Sequence, residues 1–537
     1  MKRVQLNFKE EVRKGLNEEE LLRLKTAYDA IGDIGILEID DELRSKEKFI
    51  AETLLKCQKN INTVLRKDSA HEGEFRTQKM VWLAGEKKKE TIHIENKTRL
   101  KLDVEKVYFS PRMSNERIRI CKQVKEGERI LALFSGCAPY PCVISKNTGA
   151  KEITAVEMNP KGHKYAVENI KLNKLKNVYA FCGDARKVID DLLNKKIGLK
   201  NSIDEKQMKK RLIHNPPIME LHLHENDLDD NFKEIEKTIV KLQKLNIRII
   251  IHAPMKFRGT ELNLSTANKK VYENSLISIK KVESLCKKYN LCGYVVHPYT
   301  EDLLLNSEEN KVEILNRTIK KIKSKYLILE NIHHGFFSNY DTIKNFIQNN
   351  NIKLCLDVVH LYLTREDDRE FYETIGKLSE LNTYFHIADT TFNRFSNKGP
   401  HAHEIGTGNI NLERIVPYVK EGITEVVSKD ENNPKEMINS YKKFNKMVKD
   451  YLNFDRILMP LPKNAEDFLD VVLKVSRKGT IIHFYDFLHE SEFDIAREKI
   501  KKACKIANKK YEIIDFVKCG QFSPRTFRIC ADVLIKN

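Results

Sequence analysis

Three stretches of this chain read as consecutive parts of one nucleotide-cofactor domain: Val107–Arg112 (VYFSPR), Ile130–Gly136 (ILALFSG) and Asp455–Lys463 (DRILMPLPK). More than half of the sequence separates the second from the third. Sheets of this class are built from strands joined by short crossovers, so a gap of that size is a second domain inserted into the first. The inserted stretch carries its own His, Glu and Asp residues at the ends of apolar runs, and two sites of different chemistry are therefore expected.

A chain of 537 residues suits about two to four domains, each able to bury a core. The longest apolar runs, such as Ile130–Phe134, are strand-length, and Met1-Lys-Arg-Val-Gln-Leu6 lacks an apolar signal region. The expectation is a soluble cytoplasmic protein with no membrane contact and no obligate protein partner. The 11 cysteines include no Cys-x-x-Cys pair, which argues against a zinc ribbon or a disulfide framework and for reduced core thiols. A net charge of +18 points towards a polyanionic partner.

Residues 1–106 have mixed α and β character and read as a small α+β accessory domain, with Ile31, Ile34, Ile36 and Leu37 around a Gly-Asp turn, helical spacing over 46–60 and a short strand at Thr63–Lys67. From 107 to 200 strands and helices alternate as in a doubly wound α/β sheet: Arg129–Phe134, Tyr140–Lys146, Ile153–Glu157, His163–Leu172 and Val178–Phe181. The polar, Lys-rich stretch Asn194–Arg211 reads as a linker. Over 212–440 seven short apolar strands recur with helices between them, the spacing of a β/α (TIM) barrel: Ile218–His222, Ile247–Ala253, Tyr294–His297, Tyr326–Asn331, Lys353–Asp357, Tyr384–His386 and Ile423–Val427. The first pattern resumes over 450–537, with late strands at Thr480–Phe484 and Arg525–Cys530.

The loop Phe134-Ser-Gly-Cys-Ala-Pro-Tyr140 ends a strand and opens a helix, where Gly136 permits a tight turn and free amides can meet a polar ligand. The next strand ends in Glu157, placed to accept both hydroxyls of a ribose, and the third is followed by Gly183-Asp184, placed to accept from an adenine amine. Acid at both places indicates S-adenosylmethionine more than a dinucleotide.

Tyr108–Arg112 with Asn115-Glu-Arg117, the loop at Phe134, Glu157-Met-Asn-Pro160, Asn169–Asn173, Gly183-Asp-Ala185-Arg186, Asp455–Lys463 and Gly479–Tyr485 closely resemble the archaeal and eukaryotic tRNA (guanine(37)-N1)-methyltransferase family. Ile31–Leu37, Thr63–Lys67 and Thr91–Asn96 look like the RNA-side domain that precedes the catalytic domain there. The resemblance, over 1–190 and 450–537, implies a class I (Rossmann-like) fold, S-adenosylmethionine as cofactor and methylation of the tRNA guanosine 3′ of the anticodon. It implies cofactor contacts from Phe134, Gly136, Glu157, Asp184 and Ala185, a guanine contact from Arg112, and catalytic positions at Pro460 and Lys463. Three departures stand out: Ala132 replaces the usual Asp of the first strand, Ala138 the second glycine of the loop, and Pro460 the Asn of the Asn-Leu-Pro motif. Without an amide at 460, the alternative is a wyosine-pathway methyl or aminocarboxypropyl transferase acting on the same tRNA position. Asn215-Pro-Pro-Ile218 imitates an amino-methyltransferase motif but lacks its aromatic and reads as an inter-domain turn.

In the barrel, His252, His297, Glu330, Asp357, His360, His386, His403 and Glu425 fall at strand ends, where a β/α barrel gathers ligands for Zn, Mn or a similar divalent ion. Their order over 212–430 resembles the xylose isomerase-like superfamily and, within it, the endonuclease IV family. That implies a metal-dependent phosphodiesterase or a sugar isomerase, with the methyltransferase part as an RNA-binding scaffold; a third alternative is a catalytically silent barrel that only widens the tRNA footprint. His401 stands where the family's Asp-x-His pair has Asp.

Overall fold

The computed structural model describes residues 7–69, 73–299, 308–395, 402–430, 432–460 and 464–537. The chain divides into two compact units, one made of Met1–Asp190 with Asn453–Asn537 and the other of Asp191–Leu452.

In the first unit a seven-stranded sheet runs in the order Tyr511–Ser523, Thr526–Ile535, Ser476–His489, Phe454–Met459, Arg129–Ala132, Glu152–Glu157, Val178–Cys182. Both halves of the split domain meet at its centre. Ile457 lies beside Leu131 and Leu458 beside Ala132 in parallel register, and the amide of Arg129 donates to Asp455 Oδ2 at 2.8 Å. Leu131, Leu133, Ile457, Met459, Ile482 and Phe484 form one buried cluster. Each such side chain contributes about 1.5–3 kcal/mol on burial, so neither half has a core without the other. The strand Tyr511–Ser523, absent from the sequence reading, is the outer edge and pairs antiparallel with Thr526–Ile535. The N-terminal residues form a four-stranded sheet under the helix Glu47–Cys57, followed by the hairpin Glu90–Glu95/Thr98–Asp103. Among the described residues no helix is long and apolar enough to cross a membrane.

The second unit is a closed parallel barrel of eight strands: Lys196–Asn201, Ile218–His222, Arg248–His252, Gly293–Val296, Leu327–Glu330, Lys353–Asp357, Thr383–Ile387 and Glu421–Thr424. The expected linker over 194–211 is corrected here: Lys196–Asn201 is the first strand, pairing with both Ile218–His222 and Glu421–Thr424, and Glu205–Leu212 is a helix. Gly198 is obligatory in that strand, because a Cβ there would stand 2.1 Å from the carbonyl oxygen of Ile218. Asn215-Pro-Pro-Ile218 joins that helix to the second strand, so it is a turn inside the barrel and not an inter-domain junction. Ile218, Ile250, Val295, Ile328, Cys355, Tyr384 and Ile423 fill the interior.

Candidate functional sites

In the first unit, the chain leaves the strand Arg129–Ala132 through a loop with three left-handed residues, Phe134 (φ 52°), Gly136 (φ 55°) and Ala138 (φ 64°), before the helix Pro139–Asn147. Only one of the three is glycine. A side-chain-bearing residue in that conformation costs about 1–3 kcal/mol, and such strain gathers at ligand sites. Glu157 ends the neighbouring strand and fixes this loop: its Oε2 accepts from the Gly136 amide at 2.6 Å and its Oε1 from the Asn159 amide at 2.7 Å. Burial pushes its carboxyl above the usual range, against the pull of those amides. A carboxylate accepts at about four positions, so lone pairs remain for ligand hydroxyls. Asp184 follows the third strand and caps the helix Ala185–Leu193, its Oδ1 accepting from the amides of Arg186 (2.8 Å) and Lys187 (3.2 Å). Ala185 is buried in the core beneath, and Phe134 meets the ring of Phe468 edge-on at 4.8 Å. Phe134, Gly136, Glu157, Asp184 and Ala185 thus line successive ends of adjoining parallel strands. Arg112 projects into solvent, 61% of its side chain exposed, with Nε donating to Asp29 Oδ1 at 2.8 Å. Pro460 directly follows the strand Phe454–Met459, and Lys463 lies outside the described residues.

In the barrel, Glu330 is the hub. Its Oε2 lies 3.4 Å from His252 Nε2 and 3.2 Å from His297 Nε2, and its Oε1 lies 3.3 Å from His386 Nδ1 and 3.8 Å from His360 Nδ1. Asp357 and Glu425 complete a second group with Glu330 and His386, one donor atom from each lying within 4.8 Å of the others. Glu425 lies one residue beyond the last strand, not within it, and its Oε2 stands 2.5 Å from His386 Nδ1. Tautomers are fixed from outside. His252 Nδ1–H donates to the carbonyl of Ala253 at 2.9 Å and His360 Nδ1–H to that of Asn331 at 2.8 Å, so that in the neutral ring each Nε2 carries the lone pair.

Burial works against the charge on Glu330, but His386 and His297 outweigh it and hold the carboxyl well below its usual range. Burial likewise opposes a proton on His386, yet Cys355, Glu220, Glu425 and Glu330 raise its pKa well above the ordinary imidazole value. Glu330 Oε2 is sealed from solvent and accepts no hydrogen bond. An orphaned carboxylate oxygen flanked by imidazole nitrogens fits a divalent cation, with His252, His297 and Glu330 as one ligand set and Glu330, Asp357, His386 and Glu425 as the other.

His403 stands apart from this cluster, its Nε2 3.5 Å from Thr391 Oγ1 and its ring against Phe392. Its segment is organised by buried Asp389, whose Oδ2 accepts from the amides of Gly406 and Gly408 at 2.9 Å each and whose Oδ1 accepts from Ile410 at 3.0 Å. Asp389→Ala should lower the stability of the barrel by about 3 kcal/mol, since amides bonded to a charged acceptor lose it inside the protein. Denaturant titration measures this, and a loss under about 1 kcal/mol would contradict it.

Sequence reasoning missed four residues at this site. Glu220 Oε2 lies 3.0 Å from His386 Nε2, an outer carboxylate that orients the ring. Lys200, from the unexpected first strand, pairs with Glu425. The ring of His222 lies 5.1 Å from that of His252, and the ring of His333 5.4 Å from that of His360. Burial foremost, then neighbouring cationic groups, push His222 down to about 2 and His333 to about 4, so both stay neutral. The signal for Glu220 and His222 was present: Ile218, Glu220 and His222 alternate onto one face of an otherwise apolar strand.

Residues 91–214 and 398–514 match the family model of the TRM5/TYW2 methyltransferase domain, 8–88 that of the TYW2 N-terminal domain, and 217–435 that of the xylose isomerase-like TIM barrel. A tRNA (guanine(37)-N(1))-methyltransferase, Trm5b of Pyrococcus abyssi, is 45% identical over 171 residues, 32% of this chain and 51% of the relative. The tRNA (guanine(37)-N(1))/4-demethylwyosine(37)-methyltransferase Taw22 of Nanoarchaeum equitans is 40% identical over 173 residues, 32% of this chain and 56% of the relative. The chain spans about half the length of the curated relatives it matches. A crystal structure of Trm5b from Pyrococcus abyssi aligns at 20% identity over 99% of this chain and 82% of that one, with a TM-score of 0.47.

Proposed function

We propose that this chain, which carries a TRM5/TYW2 methyltransferase domain interrupted by a xylose isomerase-like TIM barrel, is an S-adenosylmethionine-dependent tRNA methyltransferase acting on N1 of guanosine 37. The observation that carries the reading is the trio of Gly136, Glu157 and Asp184 at the ends of neighbouring parallel strands, within the segment that matches the TRM5/TYW2 methyltransferase domain. The cofactor, when bound, supplies an electrophilic methyl group. Glu157 would accept from the ribose hydroxyls and Asp184 from the adenine amine, while Phe134 and Gly136 shape the turn that admits them. Arg112 would donate to guanine O6, favouring the charge that develops as N1 attacks.

Pro460 favours a second reading. It presents no amide where the resembling family has Asn, and Taw22, a relative of similar identity, also acts on 4-demethylwyosine. On this reading the substrate base is the tricyclic derivative at the same tRNA position.

The barrel is proposed to hold at least one divalent metal ion through His252, His297, Glu330, Asp357, His386 and Glu425, with His360 beside them and His403 outside the set. Bound there, the ion would act as a Lewis acid. Glu220 and the carbonyl of Ala253 would hold the rings of His386 and His252 in place.

Glu157→Ala should weaken S-adenosylmethionine binding by about 1.5–3 kcal/mol, the range for hydrogen bonds to a charged group. Calorimetry tests this directly. Saturable binding by the wild type with a clear loss in the variant is expected, and no binding by the wild type would end the proposal.

A further inference from the structure

The buried arginines of the methyltransferase unit meet carboxylates, with one exception. Arg66 lies 2.9 Å from Glu47 and 2.8 Å from Asp68, Arg117 forks onto Glu95 at 2.5 and 2.6 Å, and Arg456 reaches Glu128 at 2.9 Å. Arg528, on the strand Thr526–Ile535, is only 9% exposed and meets no carboxylate among the described residues. Its Nη2 donates to Tyr108 Oη at 2.6 Å, its guanidinium lies 4.9 Å from the centre of the Phe487 ring, and its Nε is sealed from solvent without an acceptor. A buried charge without a counter-ion costs several kcal/mol. Its retention calls for an anion that the described residues do not supply.

The surroundings indicate which anion. Tyr108 opens the Tyr108–Arg112 motif, and its backbone passes the cofactor loop: a Cβ on Gly136 would lie 3.4 Å from the Tyr108 carbonyl oxygen. Its side chain reaches Arg528, and a second guanidinium, that of half-buried Arg76, lies 5.8 Å from the centre of the same ring. Burial lowers the basicity of Arg76, and the charge of Arg528 lowers it further. The strand of Arg528 is three places along the sheet from Arg129–Ala132, roughly 14 Å at the usual strand spacing, which separates it from the cofactor loop.

We propose that Arg528, oriented by Tyr108, binds a backbone phosphate of the RNA substrate beside the methylation site. The planar fork of a guanidinium matches phosphate oxygens, and its place over the Phe487 ring and its bond to Tyr108 restrain it in advance of binding. The proposal rests on the RNA-methylation reading above.

The test compares wild type, Arg528→Met and Arg528→Lys for affinity to an unmodified tRNA transcript at several salt concentrations, for S-adenosylmethionine affinity by calorimetry, and for thermal stability. Arg528→Met should weaken tRNA binding about tenfold and flatten the salt dependence by about one released ion. Arg528→Lys should retain most of the affinity. The midpoint of unfolding in Arg528→Met should stay level or rise, because an apolar side chain replaces an uncompensated charge, and cofactor affinity should not change. Unchanged tRNA affinity and salt slope, a fall in thermal stability, or a loss of cofactor affinity alone, which would mark the cofactor's carboxylate as the anion, would each overturn the proposal. If Arg528→Met does not fold, Tyr108→Phe takes its place, with a smaller loss of tRNA affinity expected and no loss overturning the proposal. A wild-type protein that binds no tRNA would bring down the RNA-methylation reading as well, whereas tRNA binding indifferent to Arg528 would leave that reading standing.

Discussion

Replacing Glu330 by alanine is expected to strip the barrel of divalent metal. Among the described residues Glu330 alone faces His252, His297, His386 and His360, so its removal takes a ligand from every candidate group of donors in the barrel. Loss of one ligand from a first coordination shell exceeds the roughly 10–100-fold effect seen for outer-shell partners. Elemental analysis of protein purified without a His-tag should give at least one equivalent for the wild type and well below one for Glu330→Ala; equal content in both would contradict the assignment. His386 carries its proton tightly in the metal-free state. Ligation requires a neutral ring, so metal uptake should release a proton and affinity should fall as pH drops, beginning above the ordinary imidazole range because the groups around His386 raise its pKa. Glu220→Gln should weaken binding less than Glu330→Ala, since Glu220 acts by orienting His386.

Arg112→Ala should slow methyl transfer by about 10²–10³-fold, the usual effect of removing one donor to developing negative charge. The side chain is exposed and held by Asp29, so the substitution should leave the fold intact. Single-turnover rates at saturating tRNA isolate the chemical step. An unchanged rate with weaker tRNA binding, and a salt slope reduced by about one, would make Arg112 a phosphate contact instead.

The split of the methyltransferase domain was legible because its motifs keep their order on either side of the insertion, and the pairing of Ile457 with Leu131 is its structural counterpart. The barrel was legible from strands with apolar interiors. Its first strand was not, because Lys196-Ile-Gly-Leu-Lys-Asn201 has only Ile197 and Leu199 as apolar residues and a glycine demanded by the approach of Ile218. Polarity that resembles a linker has uses in the fold: the Lys195 ammonium donates to the carbonyls of Pro417 and Val419, and Lys200 turns inward to Glu425. Mistaking that strand also hid Lys200 from the site. Strand-end periodicity found Glu330, Asp357 and His386 but placed His403 among them, since spacing along the chain does not reveal that Asp389 gathers the segment around Gly406 and Gly408 on itself. Arg528 was invisible for a related reason: a lone arginine in a strand gains meaning only when its missing carboxylate is known.

Methyl transfer to the base 3′ of the anticodon is tested by nucleoside mass spectrometry. Purified protein is incubated with S-adenosylmethionine carrying a labelled methyl group and an unmodified tRNA transcript with guanosine at position 37, which is then digested and analysed. Labelled 1-methylguanosine is expected from that position, formed far more slowly by Arg112→Ala. No label on this transcript, with label entering only tRNA that already bears the tricyclic base, would contradict it and establish the wyosine-pathway reading instead.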